Sequence, residues 1–255
     1  MAQAGGDELE AVKKYFNTSG FERWNKIYGE TDEVNKVQLD IRKGHAMTVD
    51  KVLAWFDADA AGGAASASSS SSSSPSSPSP AIAGRTVCDA GCGTGSLTLP
   101  LAERGARVSA SDISAAMVGE AERRFRQSPA AGKEGVPAPA FEAKDLESVG
   151  GSFDTVCCLD VMIHYPQDKA DAMVGHLASL AERRVVLSFA PYTPALALLK
   201  RVGELFPGPA KATRAYLHRE ADVEAALARA GFRVTRREMT STSFYFSRLL
   251  EAVRE

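Results

Sequence analysis

Apolar positions along the chain follow two different periods. Up to about residue 56 they recur every three or four residues. Phe21, Trp24, Ile27 and Tyr28 form one stripe; Val34, Val37, Ile41, Val49, Val52 and Phe56, with His45 among them, form a second. That spacing predicts two amphipathic helices, and Ser19 followed by Glu22 at capping-box spacing predicts the start of the first. The second stripe must bury against a neighbour, most simply the edge of the domain that follows. Beyond residue 84 short apolar runs alternate with helical stretches. Strands are expected at 85–89, 107–111, 140–144, 153–159, 184–189, 232–239 and 244–253. Helices are expected at 95–104, at 114–126 with Ser114 as N-cap, at 168–180, and at 220–230 closed by Gly231. This alternation predicts an α/β chain with a Rossmann-like open sheet of seven strands.

Two stretches break the pattern. Residues 58–84 are dominated by alanine, serine and proline and include the run Ser68 to Ser74. Such a segment buries too little apolar surface to offset its ordering entropy, so a flexible linker or insertion is expected. Residues 199–217 hold Phe206-Pro207-Gly208-Pro209 with Lys200, Arg201, Lys211 and Arg214. They follow the fifth strand on its carboxyl side, where open α/β sheets bind ligands, and are expected to form a substrate arm. The chain thus divides into an N-terminal helical lid at 1–57, the linker at 58–84 and a catalytic domain at 85–255.

Composition narrows the function. The 255 residues suffice for one α/β domain with a sizeable core, and the formal net charge is −2. No lysine-arginine block marks a nucleic-acid surface, and no apolar run is long enough for a transmembrane segment. Contact with a membrane surface stays open. Cys88, Cys92, Cys157 and Cys158 lie in or beside expected strands without a C-x-x-C pair, so buried reduced thiols are expected and no metal site. The first residues carry neither a signal core nor a transit-peptide pattern, which fits a cytosolic protein or one whose targeting segment has been removed.

The chemistry concentrates in Asp89-Ala90-Gly91-Cys92-Gly93-Thr94-Gly95, between an expected strand and helix. Glycines let a backbone approach a ligand, and a helix N-terminus offers free N–H groups. An acid in front of the loop would repel a pyrophosphate but suits a cationic amino-acid end. Asp112 ends the second strand about 20 residues on, where a ribose-binding carboxylate belongs. The run resembles the nucleotide loop of class I S-adenosylmethionine methyltransferases. That resemblance implies an antiparallel last strand and a set of cofactor contacts. Asp89 meets the methionine ammonium through water and Gly91, Gly93 and Gly95 cradle the cofactor. Asp112 takes the ribose with Ile113 against the adenine, Asp145 meets the adenine amino group, and Asp160 lies near the methionine end. Past Asp160 the loop Val161-Met162-Ile163-His164-Tyr165-Pro166 faces the sulfonium methyl, and His164 becomes a candidate to orient or deprotonate an acceptor. It lacks the N/D-P-P-Y/F/W tetrapeptide of enzymes that methylate nucleic-acid amines.

A closer resemblance runs through the segments 21–29 (FERWNKIYG) and 34–45 (VNKVQLDIRKGH), then 160–166, Ser188-Phe189-Ala190-Pro191 and the 199–217 arm. These resemble the magnesium-protoporphyrin IX O-methyltransferases of chlorophyll biosynthesis over nearly the whole chain except the serine-rich stretch. The resemblance implies methyl transfer from S-adenosylmethionine to one propionate carboxylate of magnesium-protoporphyrin IX. Magnesium enters only within that substrate. It further implies Tyr28 and His164 as the groups that aim the carboxylate, a chloroplast location, in the stroma or peripheral on a thylakoid or envelope membrane, and work beside the large subunit of magnesium chelatase. Two other readings of the loop are a different small-molecule O-methyltransferase, such as one acting on a quinol, and a porphyrin- or partner-binding protein without turnover. A phenol with pKa near 10 would need a base, whereas a carboxylate near 4.3 is already ionised.

Overall fold

The structure, a computed structural model, describes residues 10, 12–29, 33–67, 82–204 and 215–255. Strands β1 (Thr86–Ala90), β2 (Arg107–Asp112), β3 (Ala140–Ala143), β4 (Phe153–Cys158), β5 (Ala181–Phe189), β6 (Phe232–Ser241) and β7 (Phe246–Arg254) form one sheet. Their order is β3-β2-β1-β4-β5-β7-β6. Neighbours from β3 to β5 run parallel, and β7 is antiparallel to both β5 and β6. The expected sheet is therefore present, with the last strand reversed between two others. The central strands are buried on both faces, which is why they read as unbroken apolar runs rather than as alternation.

Helices α1 (Ser19–Ile27), α2 (Lys36–Ala67), α3 (Thr98–Glu103), α4 (Ala115–Gln127), α5 (Gln167–Leu180), α6 (Pro194–Glu204) and α7 (Glu220–Arg229) complete the fold. One core packs Val174 and Leu177 of α5 and Val223 and Leu227 of α7 against Leu187 and Phe189. The opposite core packs Val52 and Phe56 of α2 and Leu101 of α3 against Val87, Val186 and Leu249. Ser114 caps α4 through its side chain on the Met117 N–H, and Gly231 follows α7 at φ +80°.

Four expectations change here. The second half of α2 does not lean on the sheet's edge but covers a face, with Val52 and Phe56 essentially inaccessible. Buried charges hold it there: Arg184 of β5 pairs with Asp59 of α2 and with Glu251 of β7 at 3.1 Å. Val52, Leu53 and Phe56 thus belong to the core on that face of the sheet. Secondly, residues 58–67 extend α2 rather than opening the linker; 68–81 lie outside the described residues, and Ile82 is already core. Thirdly, of the 199–217 arm, 199–204 continue α6, 205–214 lie outside the described residues, and 215–217 run under the loop after β4. There the Tyr216 N–H donates to the Ile163 oxygen at 2.8 Å. Finally, the capping box does not form. Helical residues 12–16 run almost directly into α1, and the Thr18 hydroxyl donates to the Lys14 oxygen at 2.8 Å.

Candidate active site

The carboxyl ends of β1, β2 and β4 open onto a cavity of about 320 Å³, roofed by α1 and the first turns of α2 and walled by the turn between β6 and β7. Gly91, Gly93, Asp112, Ile113, Asp160, Tyr28 and His164 all line it. Asp89, Gly95 and Asp145 do not line it, although the resemblance implied cofactor contacts for each.

The glycine loop follows from the close approach of two strand ends. A Cβ on Gly91, at φ +85°, would stand 2.2 Å from Val161 Cγ2 of the β4 loop, so no other residue fits there. Gly95 serves packing: its position against Ala121 brings α4 up to the loop. Asp112 accepts the Gly93 N–H at 3.0 Å and the Ser114 N–H at 2.9 Å. Burial raises its pKa, and those two bonds partly oppose the rise. Asp89 sits behind the loop and accepts the Thr98 hydroxyl at 2.5 Å. Burial pushes its pKa up to about 6, and the Thr98 bond restrains it. The Asp145 carboxylate accepts the Ser148 N–H at 2.8 Å and caps the short turn Leu146–Ser148; Leu146 lines the cavity in its place.

Asp160 is a hub. It stands at φ +59°, in the left-handed region that non-glycine residues seldom adopt. Oδ2 faces His45 Nδ1 at 2.7 Å and accepts the Tyr245 hydroxyl at 2.7 Å. Oδ1 accepts from Ser188 Oγ at 2.8 Å and Ser247 Oγ at 3.1 Å. Burial alone would raise its pKa, but the bonds from His45, Tyr245 and Ser188 outweigh it and hold the carboxyl below its ordinary value. With both oxygens engaged by the protein, Asp160 orients its neighbours.

Two further lining residues, His164 and Tyr28, are buried and uncharged. His164 sits in the turn Met162–His164, edge-on to Phe16 with ring centroids 5.1 Å apart. Burial pulls its pKa down to about 4, against a weaker pull from Asp160, so it is neutral at pH 7. Burial, reinforced by Asp160, raises the Tyr28 phenol well above its ordinary value. Tyr28 stacks between Trp24 and His45, at 5.3 and 4.5 Å between centroids. Its backbone is held by Arg124, whose Nη1 donates to the Tyr28 oxygen at 2.9 Å and to Thr94 Oγ1 at 3.1 Å. His164 Nδ1, Trp24 Nε1 and Arg23 Nε are buried without a hydrogen-bond partner on this cavity. Buried polar atoms normally have one, so these three suit polar groups of a bound molecule.

Sequence reasoning missed His45, Tyr245, Arg23, Trp24 and Arg124. His45 had a local signal, an imidazole standing in an otherwise apolar stripe. Tyr245 had none. It reaches the site because α2 and the β6–β7 turn meet: a Cβ on Gly44 would stand 2.3 Å from Tyr245 Cδ1. Asp40 of α2 also accepts the Phe244 N–H at 2.6 Å. The four cysteines are buried and free, and burial, aided by Asp89, raises Cys88 to about 12. Among the described residues no cluster could hold a metal ion.

A family model described as magnesium-protoporphyrin IX methyltransferase C-terminus matches residues 158–254, and a methyltransferase-domain model matches 87–183. The chain is 57% identical over 252 residues to a chloroplastic magnesium protoporphyrin IX methyltransferase of Arabidopsis thaliana, covering 98% of this chain and 73% of that one. It is 50% identical over 254 residues to a magnesium-protoporphyrin O-methyltransferase of Synechocystis, covering all of both. A crystal structure of magnesium protoporphyrin IX methyltransferase from Synechocystis with bound S-adenosylhomocysteine superimposes with a TM-score of 0.80. Identity there is 51%, over 96% of this chain and 98% of that one.

Proposed function

The chain belongs to the magnesium-protoporphyrin IX methyltransferase family, and we infer that Tyr28 and His164 aim the acceptor in its cavity. It is an S-adenosylmethionine-dependent O-methyltransferase. The methyl group passes to a propionate carboxylate of magnesium-protoporphyrin IX, giving the monomethyl ester, in chlorophyll biosynthesis. A carboxylate oxygen lone pair forms the new O–CH3 bond while the S–CH3 bond breaks. The electron pair of that bond goes to sulfur and leaves S-adenosylhomocysteine.

No proton has to be removed, because a propionate with an ordinary pKa of about 4.3 is ionised at pH 7. The protein must hold the oxygen in line with the methyl group, and alignment of two bound reactants is worth roughly 7–11 kcal/mol. The observation that carries this reading is that Tyr28 and His164 both line the cavity while buried, which disfavours the charged form of each. Neutral donors orient a carboxylate without quenching its charge as a cation would. Asp112, Ile113 and the Gly91 and Gly93 backbone are read as the adenosine side, and Asp89 as facing the methionine ammonium from behind the loop. In this reading α1, the start of α2 and the arm after β5 form the lid.

The reading extends to a chloroplast location, in the stroma or peripheral on a thylakoid or envelope membrane, and to the large subunit of magnesium chelatase as a partner. Its supports are the sequence resemblance and the chloroplastic relative. No helix among the described residues is long and apolar enough to cross a membrane. Incubation with methyl-labelled S-adenosylmethionine and magnesium-protoporphyrin IX tests the whole, with quinols and metal-free porphyrins as controls. Label in the porphyrin monomethyl ester is expected; label in a quinol ether instead would overturn it.

A further inference from the structure

The mechanism above leaves a histidine of the cavity, His45, without a task. His45 enters from α2, its side chain 12% exposed, and commits Nδ1 to Asp160 Oδ2 at 2.7 Å. A carboxylate can only accept, so the 2.7 Å contact with Asp160 sets a proton on His45 Nδ1. The lone pair then resides on Nε2. The Tyr28 ring packs beside the imidazole, with centroids 4.5 Å apart and planes tilted by 38°. A histidine whose Nδ1–H is bound to a carboxylate, with Nε2 left as a fixed donor atom, is the arrangement that holds metal-ligating histidines in place. His164 lacks it, since its Nδ1 has no partner to choose a tautomer.

The reaction brings one metal into this cavity, the magnesium of the substrate. Four pyrrole nitrogens occupy the equatorial plane of such a metal and leave an axial position open. The walls near His45 suit a flat apolar macrocycle: Trp24, Ile41, Phe244 and Phe246 line the same cavity. We propose that His45 Nε2 is the axial ligand of the substrate's magnesium, with Asp160 as the carboxylate that orients it. The proposal rests on the family's substrate assignment and deepens it. Metal ligation at His45 would fix the height and tilt of the macrocycle, so that a propionate edge reaches Tyr28 and His164. It would also let the enzyme distinguish the magnesium porphyrin from the metal-free one.

The test titrates magnesium-protoporphyrin IX, and separately metal-free protoporphyrin IX, into the whole enzyme with S-adenosylhomocysteine present. Absorption and fluorescence are followed. Nitrogen ligation should shift the magnesium porphyrin's bands relative to its water-ligated form, while the metal-free bands respond only to burial. In His45→Gly the ligation shift should vanish, the Kd for the magnesium porphyrin should rise about ten-fold or more, and added imidazole should restore both. The Kd for the metal-free porphyrin should stay within two- to three-fold. His45→Gln, which keeps a donor for Asp160 and removes the ring nitrogen, guards against loss of fold and should behave like the glycine variant without rescue. The same band positions in wild type and variants, or equal weakening for both porphyrins, would overturn axial ligation while leaving the methyltransferase reading intact. Failure of the wild-type enzyme to bind or methylate magnesium-protoporphyrin would remove the parent reading and this one together.

Discussion

Arg124 Nη1 donates to the main-chain oxygen of Tyr28 at 2.9 Å, joining α4, the helix after β2, to the end of α1. The same guanidinium reaches Thr94 of the glycine loop, Asn25 of α1 and Glu120 of its own helix. The glycine loop and the end of α1 are therefore held by one guanidinium fork.

Arg124→Lys should separate position from charge. Lysine retains the charge but cannot span four acceptors in fixed directions. We expect single-turnover methylation to slow by about ten-fold, with S-adenosylmethionine affinity changed less. An unchanged rate would show that Tyr28 is held without Arg124.

Tyr28→Phe and His164→Ala should each slow the reaction roughly 10- to 150-fold, the cost of about 1.5–3 kcal/mol for a hydrogen bond to a charged group. Cofactor affinity should hold. His164→Gln keeps a donor and should recover part of the loss. If His164 were an obligatory base, alanine would lose several more powers of ten and glutamine would not help. If both residues only pack, melting temperatures would move and rates would not.

Acid titration should expose two opposed linkages. His164 has a folded pKa of about 4 against an ordinary 6.5, so the unfolded chain binds more protons between those values and stability falls as pH drops from 6.5 to 4. Asp89 has a folded pKa of about 6 against 3.8, so its contribution is present below pH 3.8 and lost as pH rises through 6. The shifts are similar in size and partly cancel in the native protein. Asp89→Asn removes the second alone, and denaturant midpoints of that variant should fall more steeply below pH 6.5 than those of wild type. Parallel curves would show that Asp89 is not displaced as described.

Phe56→Ala should destabilise the protein by about 3–5 kcal/mol, because the ring is 1% exposed in the core beneath the sheet. Removing residues 1–56 should abolish folding rather than open a lid, and circular dichroism with a melting curve would reveal it. A cooperative, S-adenosylmethionine-binding truncation would restore the separable lid.

The sequence by itself determined whatever depends on neighbours along the chain. Period 3.6 in the apolar positions marked the helices and short apolar runs the strands, and the Ser114 cap and Gly231 stop were legible because capping is a local hydrogen bond. The glycine loop with Asp112 behind it was legible because φ, N–H direction and strand-to-helix spacing are local too. Only tertiary structure decided which acids face the cavity. Asp145 looked like Asp112 in sequence, yet its carboxylate went to the nearest free N–H, at Ser148. Asp160 is satisfied by His45, 115 positions away, and Tyr245, 85 positions away, and no local pattern pairs either of them with it. The second half of α2 likewise carried an apolar face with no address. It became core because the sheet had an uncovered face and guanidinium groups at Arg184 and Arg236 that its Asp59 could pair. Burial and charge pairing between distant segments are properties of the assembled fold, and they set the protonation states on which this chemistry depends.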